Sequence, residues 1–279
     1  MPYSCPLCHQ ALSLDQNTFR CANNHQFDLA KEGYVNLMPA HHKRSKDPGD
    51  NKEMMQARRE FLDTDYYAPM REQVSMQLLQ HINAVSPTLL DIGCGEGYYT
   101  QYFSKQLAVK YQGSQTFGLD ISKAAIRYAA KRYTTKDDNT THFCVASSHR
   151  VPFADQSLDA IVRIYAPCKA EELNRVVSAS GIIVTVTPGA RHLYELRDRI
   201  YDGVRLHSEE AEEISGFELI EEQKVNYSMT LTSGHAYDLL QMTPFAWKAT
   251  EELRAELKSS QAFECEADFN IRVYRKTSN

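Results

Sequence analysis

Hydrophobic positions along this chain switch between two periods. Short, nearly continuous apolar runs at 88–92, 116–120, 141–146, 157–165 and 180–187 read as strands buried on both faces. Between them, at 99–110, 123–133 and 169–178, apolar residues recur every three or four positions, which predicts helices packed on a sheet. Upstream, 51–62 reads as an amphipathic helix, and Pro69 opens another running to about 84. Downstream, 218–231 and 263–275 predict strands around helices at 233–241 and 247–259. Such alternation predicts a doubly wound, Rossmann-like α/β sheet of seven strands with one antiparallel edge. We expect three parts: a small module over 1–38, a basic linker and helical connector over 39–85, and the α/β domain over 86–279.

The first strand runs into Asp91, Ile92, Gly93, Cys94, Gly95, Glu96, Gly97. Three glycines between a strand and a helix let backbone approach a ligand closely. The spacing is G-x-G-x-G, and Tyr98 stands where a dinucleotide fingerprint needs its last glycine. Asp91 and Glu96 beside the turn would repel a pyrophosphate, but suit the ammonium and sulfonium of S-adenosylmethionine. Asp120 ends the second strand about 20 residues on, where an acid bonds a ribose diol. A turn serving only strand-to-helix packing is the plainer alternative.

Composition places no obstacle to a globular enzyme: 42% hydrophobic, 24% charged and a net charge of −5. No apolar run reaches the ~18 residues of a membrane span. No secretory signal pattern opens the chain, so a cytoplasmic location is expected. Three of the seven cysteines lie in the first 21 residues, as Cys5-x2-Cys8 and then Cys21-x3-His25. That pattern supplies four ligands for tetrahedral zinc from two tight turns, with a hairpin over 13–20 returning the second pair. His9, beside Cys8, is a rival ligand in a poor position. Residues 33–37 predict a short strand completing the ribbon.

Between positions 41 and 59 lie six Lys or Arg against three acids, a stretch able to meet phosphates or simply to be solvated. Tyr66 and Tyr67 precede the α/β domain closely enough for one to cover the methyl donor. The run Tyr165, Ala166, Pro167, Cys168 follows the fourth strand, at the sheet edge where substrate groups sit.

Taken together, the Cys5 to His25 ribbon, the 90–100 glycine loop, residues 163–173 and the 241–247 run Gln-Met-Thr-Pro-Phe-Ala-Trp resemble the bacterial 23S rRNA guanine-N1 methyltransferases. The quoted segments look closer to the Gram-negative subgroup. The resemblance covers nearly the whole chain and implies a class I methyltransferase fold with an N-terminal zinc ribbon. It also implies S-adenosylmethionine and Zn2+ as cofactors, and methylation of N1 of one guanine in a 23S rRNA hairpin near the peptide exit tunnel. Zinc ligation then falls on Cys5, Cys8, Cys21 and His25. Donor contacts fall on Tyr67, Gly95, Glu96 and His192, the last implied by the resemblance alone. A homodimer framing the RNA is expected.

N1 carries a proton at neutral pH, so a base within reach would assist transfer. Tyr165 is a candidate to stack the guanine, and Asp159 on the fourth strand is a candidate base or a purely structural carboxylate. Two rivals keep parts of these features. A methyltransferase acting on another RNA, a protein or a small molecule would keep the glycine loop, and an inactive RNA-binding assembly factor would keep the ribbon.

Overall fold

The computed structural model describes residues 2–39, 52–134, 140–232 and 234–277. The first part of the basic stretch, with Lys43, Arg44 and Lys46, lies outside the described residues. Near the N-terminus, β1 (Ser13–Asp15), β2 (Thr18–Arg20) and β3 (Gln26–Asp28) form a three-stranded antiparallel ribbon. The hairpin expected over 13–20 is β1 and β2, in register Ser13 to Arg20.

Next comes β4 (Val35–Asn36), and here the structure corrects the expectation. β4 touches the ribbon through a single antiparallel bridge, Val35 to Leu29, but its ladder is with the large sheet, in parallel with Cys144 and Val145 of β7 (Thr141–Val145). Tyr3 adds a second tie, bridging to Phe153 and packing its ring edge-on against Phe19 and Phe117 at 5.4 and 5.3 Å. It is 2% exposed, and burying such a ring is worth about 2–3 kcal/mol. The ribbon and the large sheet thus share one hydrophobic cluster.

Two helices follow, α1 (Lys52–Leu62) and α2 (Ala68–His81). From α1, Phe61 and Leu62 are buried on the sheet face opposite the ribbon. Then β5 (Thr88–Ile92), α3 (Tyr98–Lys110), β6 (Gln115–Asp120), α4 (Lys123–Tyr133) and β7 alternate as expected. Ser122 caps α4 by accepting the Ala125 N–H. After β7 run β8 (Leu158–Ile164), α5 (Ala170–Val176), β9 (Val177–Pro188) and α6 (Tyr194–Asp198). The chain closes with β10 (Phe217–Leu231), α7 (His235–Gln241), α8 (Glu251–Ser259) and β11 (Phe263–Lys276).

Among the described residues the large sheet has eight strands, not seven, in the order β10-β11-β9-β8-β5-β6-β7-β4. The extra strand is β4. The strand running against its neighbours is β11, paired antiparallel to both β9 and β10, so it lies inside the sheet and not at its edge. The helix expected over 247–259 divides into a 3-10 turn, Ala246–Lys248, and α8, which Thr250 caps through the Leu253 N–H. The strand order reverses direction at β5, so a crevice opens beyond the carboxyl ends of β5 and its neighbours.

Candidate active site and metal centre

That crevice is a cavity of about 580 Å³, within the range of small-molecule sites. On one side β5 delivers Asp91, Gly93, Gly95 and Glu96 to its lining. Gly93 has φ +74, and a side chain there would meet the Ala166 Cβ at 2.7 Å, so glycine lets the β8 loop close against the turn. Gly95 has φ +54, and a Cβ would find nothing within 4 Å. Its backbone therefore lies open to the cavity, the cradle that an adenosyl donor requires.

Asp120, at the end of β6, accepts the Gly95 N–H (3.0 Å) and the Ser122 N–H (2.8 Å). Asp120 also lines the cavity, at the end of β6 where a ribose diol would lie. Asp91 is 2% exposed, accepts the Thr100 hydroxyl at 2.6 Å, and is pushed up to about 7 by burial. Glu96 is gripped by Arg59 from α1, at 2.9 Å from Nε and 2.7 Å from Nη2.

The facing side comes from later in the chain. Tyr67, at the N-terminus of α2, is 2% exposed with its ring edge-on to Phe61 and Phe269 at 5.0 and 5.1 Å. Tyr66 is turned elsewhere, its hydroxyl on His235 and the Thr232 N–H. Tyr165, directly after β8, holds φ +56, a costly conformation for an aromatic residue, and stays half exposed at the cavity. His192 approaches its hydroxyl at 3.4 Å through Nε2 while Nδ1 accepts the Asp268 N–H at 3.2 Å. Burial, then the charges of His207 and Arg197, push His192 down to about 3. The ring is therefore neutral, with its proton on Nε2.

Asp159 is not brought to this cavity. It occupies the second position of β8, at the opposite end from Tyr165, where it accepts the Thr88 N–H (2.9 Å) and the Ser178 hydroxyl (3.3 Å). Its role is to tie β5 and β9 to the start of β8. Sequence reading missed Arg59 as the partner of Glu96. It also missed His207 and the wall of Met242, Thr243, Pro244 and Phe245. The only signal for that wall was the 241–247 run, and none marked His207.

In the ribbon, one ligand atom from each of Cys5, Cys8, Cys21 and His25 lies within 4.8 Å of all the others. Cys5 and Cys21 place sulfur 3.5 and 3.4 Å from His25 Nδ1, and the Cys8 and Cys21 sulfurs are 3.6 Å apart. Zinc at about 2.3 Å from sulfur gives tetrahedron edges of roughly 3.5–3.8 Å. The donor set and spacing fit zinc. His9 is directed away, accepting Arg150 Nη2 at 2.7 Å.

The comparisons agree with this geometry. Residues 3–46 match the family described as RlmA, N-terminal, and residues 85–243 match that described as Methyltransferase domain. A 23S rRNA (guanine(748)-N(1))-methyltransferase of Streptomyces fradiae is 28% identical over 248 residues, 87% of this chain and 85% of its own. A Bacillus subtilis protein named as a 23S rRNA (guanine-N(1)-)-methyltransferase is 27% identical over 98% of this chain and 97% of its own. One of the same name from Micromonospora griseorubida is 31% identical over 70% of this chain and 68% of its own. A methyltransferase of this fold takes S-adenosylmethionine as donor, and the Cys3His cluster is a zinc site. The chain belongs to the 23S rRNA (guanine-N1)-methyltransferase family, an RlmA-type zinc ribbon joined to a class I methyltransferase domain.

Proposed function

We propose that the protein uses S-adenosylmethionine to methylate N1 of one guanine in a hairpin loop of 23S rRNA near the peptide exit tunnel. The observation that carries this reading is the meeting, in one cavity, of the glycine loop after β5 with Tyr165, Ala166 and Pro167 after β8. A donor held by the first lies next to a base held by the second.

In this reading Gly93 and Gly95 present backbone to the donor and Asp120 holds its ribose. Asp91 and Glu96 set a negative potential for its cationic end, while Tyr67 and His192 close the apolar side. The donor supplies an electrophilic methyl group. N1 lies on the Watson–Crick edge, so the guanine must be unpaired or flipped into the cavity. Tyr165 stacks on it, and the carbonyls of Ala166 and Pro167 accept from its edge. His192 donates to the Tyr165 hydroxyl and so fixes where that ring stands. Alignment of N1 with the methyl group supplies most of the acceleration.

The division of labour follows the three parts of the chain: 1–38 recognises RNA through the zinc ribbon, 39–85 brings basic residues toward phosphates, and 86–279 carries the chemistry. The partner is 23S rRNA, and the protein acts as a homodimer in the cytoplasm. Among the described residues no helix is long and apolar enough to cross a membrane. Digesting treated 23S rRNA to nucleosides tests the reaction: mass spectrometry should find N1-methylguanosine, and a methyl group on any other atom would overturn the assignment.

A further inference from the structure

The cavity needs a group to take the N1 proton, and most of its ionisable side chains are engaged. Glu96 is held in two hydrogen bonds by Arg59, and Asp63 pairs with Arg132 at 3.0 Å. Asp120 accepts two backbone N–H groups, and Asp91 is sunk beneath the turn against Thr100. His192 presents only its N–H to the cavity, because Nδ1 is occupied by the Asp268 N–H. Among the described carboxylate and imidazole side chains of the lining, that leaves His207.

His207 sits on a segment, 204–213, that forms neither helix nor strand yet is anchored along its length. Its own N–H donates to the Ala190 carbonyl at 3.1 Å, and Arg197 Nη1 donates to the Arg205 carbonyl at 2.9 Å. Arg272, 2% exposed, donates to the Glu209 carbonyl, and Arg163, 5% exposed, to the Glu212 carboxylate at 2.6 Å. Glu209 also meets Lys224 at 2.8 Å. Two buried guanidiniums committed to one irregular segment hold a single imidazole at the cavity wall. We propose that His207 is the general base that removes the N1 proton of the guanine, an inference that rests on the rRNA reading above.

The step balances. The N1–H bonding pair becomes the new N–C bond, the proton passes to the His207 imidazole, and the donor's former C–S pair stays on a neutral thioether. The groups facing His207 are the carbonyl and imidazole of His192, Arg197 from α6 and Asp268 from β11. Burial first, then the Arg197 charge, hold the ring below the ordinary histidine value, so it stands neutral and ready to accept at pH 7.

The test compares wild type, His207→Ala and His207→Gln, the last keeping a donor for the His192 carbonyl. Both variants should bind S-adenosylhomocysteine as wild type does, and single-turnover methylation of the rRNA hairpin should fall by about 100-fold or more. Wild-type rates should be level with pH from 7 to 9, whereas variant rates should climb with pH. Without turnover, 15N spectra of His207 in the ternary complex of protein, S-adenosylhomocysteine and hairpin should shift relative to the binary complex. An active wild type whose variants keep its rate and level profile, or an unshifted ring signal, overturns the inference alone. A wild type that leaves the hairpin unmethylated overturns the rRNA reading beneath it.

Discussion

Arg59 of α1 clasps Glu96 of the glycine loop through two hydrogen bonds, 2.7 and 2.9 Å long, while its guanidinium lies 3.8 Å from the Tyr128 ring centroid on α4. A helix that begins in the basic stretch is thereby fastened to the donor site. Glu96 is largely shielded and Arg59 about one-third exposed, so the pair sits between the surface and buried regimes. Arg59→Ala should cost about 1–2 kcal/mol of stability and weaken donor binding roughly tenfold, through a loosened loop. Arg59→Lys should recover only part, because the two-pronged geometry is lost. Thermal unfolding and calorimetric titration of S-adenosylmethionine would measure both effects.

Asp91 predicts a pH dependence for donor binding. Its carboxyl is pushed up to about 7 by burial, so near neutrality much of it is protonated in the free protein. A cationic ligand favours the carboxylate, so binding should release a proton and weaken as pH falls below 7, approaching tenfold per unit at the limit. In the free protein the sign is opposite. A folded value raised above the unfolded one means stability from this group is present at low pH and lost as pH rises from about 4 through 7. Asp91→Asn should remove both trends, measurable as proton release on binding in buffers of different ionisation heat and as melting temperature against pH. A pH-independent donor affinity in the wild type would refute the assignment.

Asp120 should matter for affinity more than for fold. Its hydrogen bonds from Gly95 and Ser122 shape the turn, but β6 itself is buried through Phe117 and Leu119. Asp120→Ala should leave a folded protein whose donor affinity falls about 10–100-fold, the worth of charge-assisted hydrogen bonds to a diol. Circular dichroism with equilibrium dialysis of the donor would separate the two. An unchanged affinity would remove Asp120 from the site.

Removing zinc should act beyond the ribbon. Structural zinc contributes on the order of 10 kcal/mol to small modules. Here β4 and Tyr3 carry that dependence into the large sheet. Chelation, or Cys21→Ser, should lower the melting temperature, expose the β7 edge and abolish RNA binding while donor binding survives. Metal analysis should find one zinc per chain. Donor binding lost in parallel with zinc would show that the two parts do not separate.

What could be read in the sequence was local. The β5 strand, its glycines and the cysteine spacing all lie within a few residues of the structure they build, so period and turn chemistry reveal them. The pairing of Val35 with Cys144 is not local, and a two-residue strand carries no mark of its partner. The antiparallel strand β11 was legible as a strand, but its place between β9 and β10 depends on contacts formed across the fold. Asp159 was misleading for a different reason: its strand reaches the cavity, but only at the far end. Segment 204–213 has neither helical nor strand period, because buried arginines from β8 and β11 hold it, so His207 could not be recognised before the strands were assembled.

Primer extension on 23S rRNA tests the central claim most directly, because a methyl group at guanine N1 blocks base pairing. Unmodified rRNA incubated with the protein and S-adenosylmethionine should give one new reverse-transcriptase stop in the exit-tunnel hairpin, absent without donor and strongly reduced with Asp120→Ala. Full-length extension with no stop, from protein that binds the donor, would contradict the account.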